Sequence, residues 1–172
     1  MEFKGIDVSK WQGEINWEKV KASGVNFAIL REGYGLQIDK KFKENYEKAK
    51  AAGVNLGAYH YSYASSILDA KSEAKFCLEN ISGLEFEYPI CFDIEEKEIL
   101  KLSNETRTEI VKAFCEEIEK VGYYAMFYCN LNWLENYLNY EDLKQFDLWL
   151  ARWNSAKPLE ECGIWQHSSQ GK

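Results

Sequence analysis

Two carboxylates stand one residue apart in Asp93-Ile94-Glu95, at the end of the apolar run Ile90-Cys91-Phe92. Pro89 bounds that run at its start and marks it as a short strand. Side chains alternate along a strand, so Asp93 and Glu95 share one face while Phe92 and Ile94 share the other and pack on helices. Two residues of strand rise put the Cα atoms of the two acids about 6.6 Å apart. At that distance the charge on one raises the proton affinity of the other, and such a pair can hold one acid protonated. Glycoside hydrolysis needs this arrangement: one acid protonates the leaving oxygen, and a second group stabilises positive charge at the anomeric carbon. The competing reading makes Asp93 and Glu95 solvated strand-end groups in a neighbourhood that Glu96 and Glu98 already make acidic. His60 and His167 are the only histidines and have no ligand spacing around them, so neither a metal nor another cofactor is expected.

The elements that must position these acids belong to one domain over residues 1–172. At 172 residues with 46% hydrophobic residues and 2 prolines, the chain is long and apolar enough to bury a core. The formal charge of −7, from 21 basic against 28 acidic residues, excludes nucleic acid as a natural partner. No apolar run reaches the roughly 18–20 residues of a membrane helix, and MEFKGIDVSKW has no signal-type segment. Five cysteines, an odd number without CxxC or Cys/His spacing, read as reduced and mostly buried small hydrophobes. Aromatic residues make up 15% of the chain, enough that some rings are expected to serve a ligand.

Along the chain, strand patterns at residues 3–9, 25–31, 54–62, 89–95, 123–130, 147–152 and 163–167 alternate with helical patterns at 16–23, 39–52, 68–80, 103–121 and 131–138. Asp39 and Ser103 are the expected N-caps of the second and fourth helices, and Gly33 and Gly35 mark a loop after the second strand. Such alternation predicts parallel strands joined by right-handed crossovers. A doubly wound nucleotide fold would carry a glycine-rich turn after its first strand, where this chain has Lys10-Trp11-Gln12-Gly13. Asp7, Arg31, Tyr61, Asp93, Glu95, Tyr128 and Trp153 fall at or near C-terminal strand ends, where barrels keep their chemistry. The expected fold is therefore an α/β, TIM-like barrel of an irregular type with fewer helices than strands.

GIDVSKWQG (5–13), INW (15–17), FAILREGYG (27–35), GAYHYS (57–62), YPICFDIE (88–95), WLARW (149–153) and IWQHSSQG (164–171) carry a resemblance. Together and in this order they resemble the catalytic domain of family 25 glycoside hydrolases, barrel-type lysozymes that act as N-acetylmuramidases on bacterial peptidoglycan. The resemblance implies that Glu95 protonates the glycosidic oxygen leaving from N-acetylmuramic acid. It makes Asp93 the partner that orients the substrate's own 2-acetamido group for attack, so that no enzyme nucleophile is needed and configuration is retained. Asp7 matches a third acid on the barrel floor. Tyr61, Tyr128 and Trp153 would contact the sugar or its acetamido group, with core packing as the alternative for each. Arg31 would either bind a substrate carboxylate or neutralise Asp7, and Gln166 would bond either to substrate or to neighbouring loops. Trp11, Trp17 and Trp165 are assigned mainly to packing.

Family domains continue past the Ser-Ser-x-Gly segment into an eighth strand with a further acid, whereas this sequence ends at Lys172. The domain is accordingly expected to be C-terminally incomplete, with its barrel lacking that strand. Many members also carry cell-wall-binding repeats, which would lie beyond residue 172. The sequence fits an endolysin made in the cytoplasm and released to the wall, and equally an extracellular enzyme whose leader has been removed. Two competing functions stay open: a non-catalytic wall-glycan-binding module, and a barrel hydrolase for another amino-sugar polymer.

Overall fold

The computed structural model describes residues 2–153 and 161–170. Gly171, the end of the last matching stretch, and Lys172 lie outside them. Seven parallel strands make one curled sheet in the order β1 (Gly5–Val8), β2 (Phe27–Tyr34), β4 (Asn55–Tyr61), β5 (Ile90–Asp93), β6 (Ala125–Asn130), β7 (Asp147–Ala151) and β8 (Ile164–Gln166). A two-residue strand, β3 (Gln37–Ile38), turns back antiparallel on β2. Five α-helices fill the crossovers: α1 (Trp17–Ala22), α2 (Phe42–Ala51), α3 (Ile67–Ile81), α4 (Asn104–Lys120) and α5 (Leu131–Asn136). The parallel alternation and the excess of strands over helices are as expected. The open edge agrees with the expected lack of a closing strand: among the described residues β1 and β8 have no strand pairing with each other, and the sheet is a curled half-barrel, not a closed barrel.

Period-two alternation divides the apolar residues into two layers. Val8, Leu30, Leu56, Phe92, Ile94, Phe127 and Leu150 face the helices and meet Phe42, Ala74, Ile110 and Phe114. The opposite face carries Phe27, Ile29, Cys91, Met126, Tyr128, Trp149 and Ala151 as a smaller core inside the curl. Phe92 and Phe114 are both fully buried with ring centroids 4.5 Å apart. Truncating either to alanine would cost about 3–5 kcal/mol, because the cavity could not collapse. Gly57 lies where β4 approaches the start of β5; a Cβ there would come within 2.6 Å of the Pro89 carbonyl oxygen. Four of the cysteines, Cys77, Cys91, Cys115 and Cys129, are buried, in line with the reading of small hydrophobes.

Three local expectations are corrected. β2 does not stop at Arg31 but runs on to Tyr34 and returns as β3, with a bulge between Arg31 and Gly33. Asp39 is not the N-cap of α2: Lys41 occupies that position without a side-chain cap, and Asp39 stands two residues earlier, its Oδ1 accepting from Lys41 N at 2.9 Å while its Oδ2 takes Arg31 and the Lys10 backbone. Trp11 is not a packing residue; it is 76% exposed on the short turn after β1. Ser103 does cap α4, accepting from Thr106 N at 3.1 Å. Trp17 is buried as expected, and Trp165 is half-buried with its indole donating to the Arg152 carbonyl at 3.0 Å.

Candidate active site

Strand register assembles the site at the C-terminal ends of the parallel strands. Tyr61 on β4 stands opposite Asp93 on β5, and Asp93 opposite Tyr128 on β6, so three expected site residues share one level of the sheet. Ladder pairing of β5 ends at Asp93, yet Ile94 N still donates to the Tyr128 carbonyl at 3.1 Å. That bond carries the alternation one step further. Ile94 is buried with the helix-side core, leaving Asp93 and Glu95 for the concave face.

The far side of the site is organised by Gln166. Its Oε1 accepts from Tyr128 Oη at 3.1 Å and from Trp153 Nε1 at 2.8 Å, while its Nε2 donates to Asp7 Oδ2 at 2.9 Å. An indole nitrogen can only donate, which fixes the orientation of the amide. All three partners of Gln166 are expected site residues. Tyr128 is also T-stacked on Trp149 at 4.8 Å, so it both packs and presents a hydroxyl. Trp153 is 61% exposed and does not pack in the core.

Arg31 neither pairs with Asp7 nor stands free. Its Nε binds Asp39 Oδ2 at 2.7 Å, in an ion pair almost wholly removed from water. Asp39 is nearer because the bulge and the β2–β3 hairpin fold it back over β2, where its backbone N donates to the Glu32 carbonyl at 2.8 Å. Arg31 Nη2 and Asp93 Oδ1 are both buried without a hydrogen-bond partner.

The three acids all hold their protons more tightly than ordinary carboxyls. Burial pushes Asp93 well above the usual range; the charges of Glu95 and Asp7 push the same way, and Arg31 opposes them. Glu95 is raised by burial, then by the charges of Glu96 and Asp7. Asp7 is raised by burial, which the hydrogen bond from Gln166 partly offsets. Glu96 accepts from Tyr61 Oη at 3.2 Å, which ties Tyr61 to the acidic group. A cavity of about 330 Å³ opens beside Glu95 and is lined by Tyr128, Asn130, Leu131, Asn132, Ala151 and Trp153. A larger one, about 490 Å³, lies at the opposite end of the sheet near Tyr88, Tyr124 and Asp147, away from the acids.

Sequence reasoning missed one buried polar cluster. Alternation along β2 puts the Glu32 carboxylate on the helix side with Ala28 and Leu30, where Oε2 meets His60 Nδ1 at 2.8 Å and Oε1 accepts from Asn80 at 2.5 Å. Glu73 Oε2 lies 3.5 Å from His60 Nε2. Glu32, His60 and Cys77 bring ligand-type atoms within 4.8 Å of one another, a spacing no linear pattern reveals. Both Glu32 oxygens are already taken by His60 and Asn80, whereas His60 Nε2 and Glu73 Oε2 are buried without a hydrogen-bond partner. The glutamate inside an apolar strand was the available signal.

Parallel strands curled into a half-barrel, with Asp7, Asp93 and Glu95 gathered at their C-terminal ends, define an α/β protein of the barrel-like class. The family model for Glycosyl hydrolases family 25 matches residues 6–172, and the chain belongs to that family. It is 32% identical to the autolytic lysozyme of Clostridium acetobutylicum over 98% of this chain and 51% of that protein. The modular autolysin LytC of Streptococcus pneumoniae, in complex with a synthetic peptidoglycan ligand, superposes with a TM-score of 0.89 at 26% identity, over 99% of this chain and 43% of that one. A family 25 glycosyl hydrolase from Bacillus anthracis gives 0.87 at 25% identity, over 99% of this chain and 81% of that one. The chain spans 51% to 64% of the length of the curated relatives it matches.

Proposed function

We propose that this chain hydrolyses bacterial peptidoglycan at the β-1,4 bond between N-acetylmuramic acid and N-acetylglucosamine. The observation that carries the reading is the convergence of Asp7, Asp93 and Glu95 on one concave face, each with raised proton affinity, beside a cavity lined by Tyr128 and Trp153. Glu95 is the general acid: it borders that cavity and burial keeps it protonated to higher pH, as protonation of a leaving oxygen requires. Asp93 sits deeper and orients the substrate's acetamido nitrogen, so that the acetamido oxygen attacks the anomeric carbon and configuration is retained. Asp7, held by Gln166, tunes both. Tyr128 and Trp153 form one wall of the sugar site, and Tyr61 reaches it through Glu96.

The single catalytic domain acts on the wall without entering a membrane; among the described residues no helix is long and apolar enough to cross one. The open edge between β1 and β8 is where the closing strand of an irregular barrel would lie. The test is a digest of purified cell walls, scoring new reducing ends and the terminal sugar by mass. Reducing-end muramic acid, abolished by Glu95→Gln in a folded protein, supports the reading. Wall binding without release points to a glycan-binding module, and preference for N-acetylglucosamine polymers to a different hydrolase.

A further inference from the structure

The mouth of the sheet has a second wall that the proposed chemistry does not use. It starts at Glu96, which accepts from Tyr61, and Tyr61 is T-stacked on Tyr63 at 5.3 Å. Tyr63, itself 54% exposed, lies over Gly35, where an added Cβ would meet its ring at 3.0 Å. Gly35 follows Tyr34, whose hydroxyl accepts from Lys10 Nζ at 3.2 Å. The Lys10 ammonium is 4.7 Å from the Tyr34 ring centroid and 5.0 Å from that of Trp11, the most exposed large apolar side chain among the described residues. A series of aromatic side chains therefore leads from Glu96 through Tyr61 and Tyr63, over Gly35, to Tyr34, Lys10 and Trp11, on the β4–β2–β1 side of β5, whereas the Glu95 cavity lies on the β6 side.

This track is held rigid. Ser9 and Gln12 close a capping box around the turn that carries Lys10 and Trp11, and Lys10 N is bonded to Asp39 Oδ2 at 3.0 Å. Among the described residues Lys10 Nζ makes no ion pair; its partners are a hydroxyl and two ring faces. In a chain of charge −7, a cation fixed over two rings without a carboxylate, in line with a catalytic cleft, suits an anionic ligand. Flat exposed rings suit the apolar faces of sugars.

Building on the hydrolase reading above, we propose that Tyr63, Tyr34, Lys10 and Trp11 bind the stretch of a carboxylate-bearing glycan that extends past the cleavage point, with sugar faces on the rings and a carboxylate on Lys10. Two carboxylates of the substrate share this chemistry: those of the peptide stems, and the lactyl group that is freed when stems are removed.

Binding of wild type, Lys10→Gln and Trp11→Ala is measured by titration against three ligands: solubilised glycan strands with stems intact, strands stripped by an amidase, and a neutral N-acetylglucosamine oligomer. Lys10→Gln is expected to weaken binding to the carboxylate-bearing ligands about tenfold and leave the neutral oligomer unaffected, in keeping with one charge-assisted bond. Loss confined to intact strands assigns the contact to the stem, and loss on stripped strands to the lactyl group. Trp11→Ala is expected to weaken all three about tenfold. Both variants binding within twofold of wild type, or wild type binding none of the ligands, overturns the track. Reducing-end release from cell walls is scored separately in the same preparations. Binding as expected with no release by wild type would sink the hydrolase reading and leave the track standing, while release with unchanged KM in both variants would do the reverse.

Discussion

Gln166 on the last strand of the sheet donates from Nε2 to Asp7 Oδ2 on the first, 2.9 Å away across the unpaired edge. One amide thus spans the opening of the half-barrel, holds a buried acid, and accepts from Tyr128 and Trp153 on its other end. Replacing it by leucine leaves those groups without their partner and is expected to cost about 1–3 kcal/mol in a denaturant melt. Gln166→Glu keeps the acceptor but removes the bond that lowers the Asp7 pKa, and adds a like charge. Carboxyl titration by NMR should then show Asp7 protonated to higher pH than in wild type; an unchanged titration would mean the amide does not govern that acid.

Asp93 carries the opposite kind of stability effect from a surface acid. Its folded-state pKa lies above the unfolded value of about 3.9, so its ionisation counts against the fold as pH rises from there through the raised value. Asp93→Asn cannot ionise. The variant is expected to match wild type below about pH 4 and to exceed it at pH 7 by about 1 kcal/mol, roughly 2–4 °C in Tm for a chain of this size. Cell-wall cleavage should fall at the same time. Equal stability at both pH values would show that Asp93 is solvated, contrary to its burial.

The Arg31–Asp39 pair is nearly dry and bonded at 2.7 Å, and Asp39 also holds the backbone of Lys10 and Lys41. Asp39→Ala strands a buried guanidinium beside the acids and is expected to cost about 3–5 kcal/mol. Adding Arg31→Met to that change should restore part of the loss, because the uncompensated charge goes with it. Chemical denaturation of the two single variants and the double variant settles the point, and strictly additive losses would mean the pair is not coupled.

The residues show why some of this was legible in the sequence and some was not. Asp93, Glu95, Phe92 and Ile94 could be assigned to faces because a strand's period is two and one apolar side demands burial. The seven parallel strands followed from the same periodicity, with boundaries off by a few residues. The pairing of Arg31 with Asp39, where Asp7 or substrate and a helix N-cap were expected, could not be read. A one-residue bulge after Arg31 changes which face every later side chain takes, and no composition signal marks it. Trp11 was expected mainly to pack, whereas its place on a turn held by Ser9 and Gln12 points it into solvent. The unpaired edges of β1 and β8 agree with the barrel expected without its closing strand.

His60 supplies the last test. Burial alone would lower its pKa, but the hydrogen bond to Glu32 and the nearby carboxylate of Glu73 outweigh it, so the imidazole holds its proton above the ordinary value. The groups facing it are Glu32 from β2 and Glu73 from α3, with Asn80 and Cys77 meeting Glu32. A raised folded-state pKa contributes stability that is fully present below the unfolded value of about 6.5 and is lost as pH rises through the folded one. His60→Gln keeps a neutral donor without the charge. The advantage of wild type over this variant is therefore expected to be largest at pH 6 and to shrink steadily toward pH 9 in urea melts. A difference that does not change with pH would show that the imidazole is neutral in the fold, and that Glu32 and Glu73 are held by other means.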